Sequence, residues 1–418
     1  MGLKDFRLIG CGLLTIPLFF GIIDLFNSRS TQFPHALSRY VELTNSEAVR
    51  GLLLILLFSV VAGLVCWFFM RSWHRKKYRI GSFNPRAIYQ VNKFFKYLCI
   101  TIISYKILII LQMGIFEFML LARTGSISLG HLMYFVLLMF PFILSYDISK
   151  NGFSWTNILC LVALVLLNLA TGFRLLLIQG LTIMVLFNWR LFLAVNKSKI
   201  VIAACIFFAL IIGYEVFRGL VTGSNQEQLL LRSTLDSLNR TSPINVIQLI
   251  EDMEVSPSIR GLLKLWTDPV FIVLESLGVD LGGAIDTRFN LHNISEPLFS
   301  DFLGWRGTPT YVANGFSISI VSYAYLYGRE LGIFVFAIFY GFFIAVGCKL
   351  IASNVYAGKL LGSAFLVASF LSNESVVEAT KSLVFSLIFI VLIFFIIMTR
   401  QMVRFSVREG SSVGGVHL

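Results

Sequence analysis

Of the 418 residues, 57% are hydrophobic and only 13% are charged, and the mean hydropathy is +0.83. A soluble domain carries about 25% charge because its surface faces water, so a chain this poor in charge has to be solvated by lipid, which excludes the soluble classes. Transmembrane β-barrels are excluded as well: their segments alternate and are about 10 residues long, whereas Gly51–Met70 and Leu331–Cys348 are uncharged runs.

In chain order, Lys4 and Arg7 precede a first apolar helix in the manner of a signal anchor. No small-residue cleavage site follows, so this helix is expected to be retained. Apolar runs predict spans at 8–26, 51–70, 94–114, 131–146, 155–173, 175–195, 200–217, 331–350, 360–373 and 382–399, at roughly 20 residues per span. The expected fold is all-α: a polytopic membrane helical bundle of about ten transmembrane helices. Seven lie within 1–217, a large outer loop occupies 218–330, the remaining three lie within 331–399, and 400–418 is a basic cytoplasmic tail.

The stretch Tyr311–Tyr327 is apolar enough to span, yet Asn314, Ser317, Ser319, Ser322 and its tyrosines make it polar for lipid. Charge decides its reading. With ten spans and the N-terminus inside, cytoplasmic segments hold 19 of the 34 lysines and arginines, and only Asp5, Asp147 and Glu409 of the 22 acids. An eleventh span at 311–327 would carry Lys349, Lys359 and the tail arginines Arg400, Arg404 and Arg408 outside, against the positive-inside rule. The segment is therefore read as interfacial or re-entrant, which polar backbone tolerates where it lines a cavity.

The net charge of +12 follows the same insertion bias and does not imply nucleic acid. Cys11, Cys66, Cys99, Cys160, Cys205 and Cys348 all fall in apolar segments, and no CxxC or Cys/His pair occurs. Neither a disulfide framework nor a metal site is expected, and no cofactor is implied. Nucleotide-binding and soluble-hydrolase motifs are missing from the sequence. Any chemistry then needs a substrate activated before it arrives, which points to a lipid-linked donor.

Within the large loop, Ser242–Met253 has helical apolar spacing, with Ser242 as N-cap before Pro243 at the first helical position. A second helical pattern covers Ser258–Leu265, and Gly/Asp-rich irregular stretches follow at Gly278–Gly283 and Trp305–Pro309. The loop is expected to form a structured cap over the outer face.

Arginines at the predicted outer surface are the informative feature. Arg174 sits in a short Thr-Gly-Phe-Arg turn, Arg218 ends the seventh span, and Arg288, Arg306 and Arg329 follow in the loop. Guanidinium forks bind phosphate oxygens bidentately, so these positions suit a clamp on a diphosphate leaving group. Snorkelling, or pairing of Arg218 with Glu215 at i,i+3, is the structural alternative. Candidate bases are His292, the one histidine of the loop, and Glu215, with Asp286 and Glu296 behind them. Tyr323, Tyr325 and Tyr327 read equally as an interfacial aromatic belt or as a sugar-stacking wall. Lys106 reads equally as the partner of an intramembrane group or as a snorkelling lysine, and the pair Glu374 and Glu378 and the Arg71–Arg79 run read as a solvated face and a surface anchor.

The run Gly315-Phe-Ser-Ile-Ser-Ile-Val-Ser-Tyr-Ala-Tyr-Leu-Tyr-Gly328, then Leu331-Gly332 and an aromatic-rich helix with Gly341 and Gly347, resembles the O-antigen/oligosaccharide repeat-unit polymerases (Wzy-type). The Thr-Gly-Phe-Arg174 turn and the arginine before the large loop are similar to that family too. One departure is Tyr323, where a glutamate often precedes the Ala-Tyr-Leu element. The resemblance implies a glycosyltransferase in the bacterial inner membrane that acts at the periplasmic face. It would move a growing glycan from undecaprenyl diphosphate onto the non-reducing end of another lipid-linked repeat unit. Its implied partners are the undecaprenyl-diphosphate-linked oligosaccharide, the lipid bilayer, a chain-length-regulating co-polymerase and a flippase. On this resemblance Arg174, Arg218, Arg288 and Arg306 with Tyr323 and Tyr325 would bind substrate, and His292 or Glu215 would serve as base. An O-antigen ligase-like transferase and a lipid-linked oligosaccharide transporter are the alternatives; the latter would more naturally show internal repeats, and none is detectable.

Overall fold

The computed structural model describes residues 4–28, 43–72, 85–114, 117–118, 130–171, 174–188, 243–252, 270, 319–353, 355–373 and 376–412. Its helices are α1 (Lys4–Ser28), α2 (Asn45–Ser72), α3 (Pro85–Met113), α4 (Gly130–Asn151), α5 (Trp155–Thr171), α6 (Arg174–Phe187), α7 (Pro243–Asp252), α8 (Ile320–Ala352), α9 (Tyr356–Leu371) and α10 (Val376–Ser412). No strand occurs among the described residues. Four helical stretches, Asn45–Arg71, Pro85–Met113, Ile320–Ala352 and Ala379–Thr399, are long and apolar enough to cross a bilayer; shorter apolar helices lie at Gly10–Leu25, Trp155–Asn168, Leu177–Phe187 and Tyr356–Leu371. This is a helical membrane protein. In hydrocarbon only intra-segment hydrogen bonds satisfy the backbone, so a chain rich in Ile, Val and Phe still has to coil.

Most of the apolar runs read from the sequence fall on these helices. The seventh, 200–217, lies outside the described residues. Two elements differ from the expectation. Residues 320–327 are the first leg of α8, which the sequence reading separated from the span at 331–350. The basic tail is helical to Ser412, because Arg, Gln and Met are good helix formers that extend a helix already nucleated in lipid.

The chain divides into two compact units. The first contains α1, α2, α7, α8 and the run 362–384; the second contains α3–α6 with 353–361 and the chain from 385 on. In the first, α8 lies along α2, α1 packs on both, and the short α7 rests on α1, α2 and α8. Its α2 begins with a reciprocal cap: the Thr44 amide donates to Glu47 Oε2 at 2.7 Å, and the Glu47 amide donates to Thr44 Oγ1 at 3.4 Å. The α2 face carrying Ile55, Phe58 and Ala62 is buried, while Leu53, Leu57, Leu64 and Phe68 point outward, as a lipid-facing surface should. Gly341 of α8 meets α2 so closely that a Cβ there would stand 2.2 Å from the Ala62 carbonyl oxygen, a small-residue contact of the kind that lets membrane helices approach.

In α8, Ser319 caps the first leg: its Oγ accepts the Ser322 amide at 3.2 Å, and the Ile320 amide donates to the Ser372 carbonyl at 2.8 Å. The helix then kinks at Gly328 and Arg329. Arg329 has φ 51 and ψ −136, a region costly for a residue with a Cβ. A Cβ at Gly332 would lie 2.1 Å from the Ala324 carbonyl oxygen, so the chain folds back here only because position 332 has no side chain.

In the second unit α4 packs on α6, α3 packs on α4 and α5, and α5 contacts α4 and α6. Lys96 of α3 joins it internally: its Nζ donates to Asp147 of α4 and, at 2.9 Å, to Asn157 Oδ1 of α5. Asp147 also accepts the Asn151 amide at 2.6 Å. Tyr356 stacks on Tyr146 at 4.9 Å and donates to Asn92 Oδ1 at 2.8 Å.

Replacing Gly341 by Val should push α2 and α8 apart. Overpacking of this kind costs about 1–3 kcal/mol, so the variant should unfold at a lower temperature than wild type in detergent. An unchanged midpoint would show that the contact is not tight in solution.

Candidate functional site

The candidate site lies at the end of the first unit where α2 begins and α8 kinks. Its foundation is α7, a ten-residue helix with Ile244, Val246, Ile247 and Ile250 buried. A helix leaves its first backbone amides without intrahelical partners, and Pro243 has none to offer. The next two go to a carboxylate far away in sequence: Ile244 N donates to Asp24 Oδ2 at 2.7 Å and Asn245 N to the same oxygen at 3.4 Å. The Asn245 side-chain amide donates to Asp24 Oδ1 at 2.9 Å. Asp24 is 3% exposed, and a carboxylate is favoured at the positive end of a helix dipole. The expected N-cap, Ser242, lies outside the described residues. Gly51 makes room at this end, since a Cβ there would come within 2.8 Å of Ile244 Cγ2.

At the other end of α7, Glu251 meets a cluster of charged and phenolic groups. Arg50, one residue before the long apolar run of α2, places Nη1 2.7 Å from Glu251 Oε1 and donates through Nη2 to Glu330 Oε1 at 2.7 Å. Its Nη2 also reaches the Tyr325 hydroxyl at 3.3 Å, and that hydroxyl donates to Glu251 Oε1. Arg329 lies over the Tyr325 ring, 5.4 Å from guanidinium carbon to centroid, and donates to the Ile250 carbonyl at 3.4 Å. A cation there meets the negative end of the helix dipole. The strained backbone of Arg329 therefore delivers its side chain to two partners that compensate for it. Arg50 and Glu330 are half-exposed, so their pairing contributes about 0–1 kcal/mol. Glu251 is more sheltered, with 22% of its side chain exposed.

The expected site residues distribute unevenly. His292, Glu215, Arg218, Arg288 and Arg306 lie outside the described residues. Arg174 is the first residue of α6, in the second unit. Tyr323 and Tyr325 lie in the first unit on the first leg of α8, and both are buried to 1% exposure. The Tyr325 ring lies under Arg329 and the Tyr323 ring packs against Tyr327 at 4.6 Å, while the Tyr325 hydroxyl reaches Arg50 and Glu251. The sequence reading gave no weight to Arg50, Glu251, Glu330 or Asp24. The available signal was position: Arg50 and Glu330 abut uncharged runs, and Asp24 is the single acid of the first apolar stretch.

In the same unit, Tyr323, Phe336, Phe339, Phe343, Phe365 and Leu383 line an apolar cavity of about 370 Å³. A second, more polar cavity of about 410 Å³ borders the Lys96–Asp147 pair in the second unit, where the charges are mutually satisfied and tie three helices together. No group of His, Cys, Asp and Glu among the described residues could hold a metal ion.

Asp24→Ala should free the start of α7. Leaving those amides unsatisfied costs about 1–3 kcal/mol, which corresponds to about 5- to 150-fold faster hydrogen exchange at Ile244 and Asn245, read by mass spectrometry. Unchanged exchange would mean that other groups hold the helix. Compared with family models, curated proteins and solved structures, the chain matches none.

Proposed function

We propose that this protein is a membrane-embedded glycosyltransferase that polymerises lipid-linked oligosaccharide repeat units. It would move a growing glycan from undecaprenyl diphosphate to the non-reducing end of another carrier-linked unit, with inversion at the anomeric carbon. On this reading the chain crosses the bacterial inner membrane ten times. The loop 218–330 and the cluster around Arg50 then face the periplasm, and a chain-length-regulating co-polymerase and a flippase act beside it.

The observation that carries the reading is the meeting of Arg50, Arg329, Glu251, Glu330 and Tyr325 on the stretch whose sequence resembles the polymerases. Transfer from a diphosphate needs positive charge where the leaving group departs and a proton acceptor beside the incoming hydroxyl. Arginines supply the first, carboxylates the second. The apolar cavity elsewhere in the same unit, lined by Tyr323 and several phenylalanines, suits a hydrocarbon chain, which any carrier lipid brings. A helix within the stretch 218–330 supplies Glu251, more sheltered than Arg50 or Glu330, and partial shelter of this kind limits the water that would otherwise hydrolyse the donor.

The glycans of a deletion strain test the reading. Lipopolysaccharide capped with a single repeat, or loss of capsule polymer, is the expected result. Accumulation of carrier-linked polymer would instead indicate a ligase-like transferase, and unprocessed repeat units confined to the cytoplasmic leaflet would indicate a transporter. In a complemented strain, Arg174→Ala and Arg218→Ala should each shorten or abolish polymer. Removing a charged donor to a transition-state oxygen costs about 10²–10³ in rate. Wild-type polymer from both would rule out the diphosphate clamp.

A further inference from the structure

The reaction proposed above needs a group to take the proton from the acceptor hydroxyl as its oxygen attacks. We propose that Glu251 is this general base, and that Arg50 and Tyr325 are positioning residues that aim it. The assignment rests on the glycosyl-transfer reading. Arg50 and the Tyr325 hydroxyl converge on the same carboxylate oxygen, Oε1. The other oxygen, Oε2, accepts no hydrogen bond from a described residue. Among the described residues, a carboxylate bound in this way is held at one oxygen and uncontacted at the other, where a proton can be received.

Position supports the same role. Glu251 is on the last turn of α7, a helix held at its start by Asp24 and along its length by buried isoleucines, so the carboxylate stands on a rigid element and not on a free loop. Its sheltering is intermediate, with 22% of the side chain exposed. Glu330, the other carboxylate on Arg50, is 56% exposed and so less sheltered from bulk water than Glu251. Among the described residues, the charged or titratable groups around Glu251 are Arg50 from α2 and Tyr325 from α8, with Arg329 on the Tyr325 ring and Glu330 on Arg50. From α1, Asp24 meets the opposite end of α7.

In the step itself, the acceptor hydroxyl gives its proton to Glu251 Oε2. The freed oxygen pair forms the bond to the anomeric carbon. The bond from that carbon to the carrier diphosphate breaks, and its electron pair leaves on the diphosphate oxygen. One proton is gained by the protein and one diphosphate is released, so atoms and charge balance.

The test uses the full chain in proteoliposomes with a lipid-linked oligosaccharide as both donor and acceptor, and reads kcat, KM and their pH dependence. Loss of a general base costs about 10²–10⁴. Glu251→Gln should therefore lower kcat by about that factor with KM nearly unchanged, and should abolish the rise of rate on the acid side of the profile. Tyr325→Phe should lower kcat several-fold and keep that rise. Thermal unfolding and hydrogen exchange across α7, compared between wild type and Glu251→Gln, separate a chemical defect from a folding one. If Glu251→Gln does not fold, Glu251→Asp decides: a reduced kcat with the acid-side rise retained supports the assignment, and wild-type kcat overturns it. Transfer by folded Glu251→Gln within about threefold of wild type, or an acid-side rise that survives in it, also overturns the assignment while leaving the glycosyl-transfer reading intact. A wild-type protein that transfers no glycan overturns both.

Discussion

The carboxylate of Asp24, almost sealed from solvent and bound to the first free amides of α7, is the interaction on which the first unit's arrangement turns. Withdrawing a charge from water costs several kcal/mol unless hydrogen bonds and a favourable field replace the lost hydration. Here two backbone amides, a side-chain amide and the positive end of a helix supply both. The dependence is mutual: α7 without the carboxylate would hold bare donors against apolar helices, and Asp24 without α7 would lose three hydrogen bonds. Because α7 cannot slide without losing these bonds, Glu251 at its far end is placed beside Arg50 and Tyr325.

The second determinant is the break in α8. Gly332 allows the two legs to touch, and Arg329 takes the unfavourable backbone angles. A straight helix would spread the polar residues of 320–330 along a cylinder in lipid. The break instead gathers Tyr325, Arg329 and Glu330 at one end, within reach of α2 and α7. Polar side chains that suit lipid poorly become partners of one another.

Much of this architecture was legible from residue types alone, for a physical reason. Lipid allows few backbone solutions, so runs such as 51–70 and 382–399 have to be helices. The helix at 243–252 was legible as well, from its apolar spacing and its proline. The joining of 320–327 to the following span was not, because the polar content of the segment argues against crossing while the turn that reconciles the two depends on the absence of one Cβ at Gly332. Nor were the site's partners legible. Short-range patterns suggested Glu215 with Arg218, whereas the described pairs join Arg50 to Tyr325, Glu251 and Glu330, residues that adjoin only when the bundle has closed. Sequence reasoning weighted arginines near a membrane edge, searched the loop and passed over the start of α2. Tyr323 and Tyr325 were noticed for their rings, yet burial leaves the phenol of Tyr325 as the part that interacts.

The long separation between partners has a consequence for how the protein is made. Arg50 and Glu330 are 280 positions apart, and chains are synthesised at roughly 5–20 residues per second, so about a quarter of a minute to a minute passes between their emergence from the ribosome. For most of that interval Arg50 lacks both carboxylates and Asp24 lacks the amides of α7, which emerge only with residues 244 to 251. Arg50 therefore gains its partners in two steps, Glu251 first and Glu330 later, and the cluster closes only when α8 has followed α7.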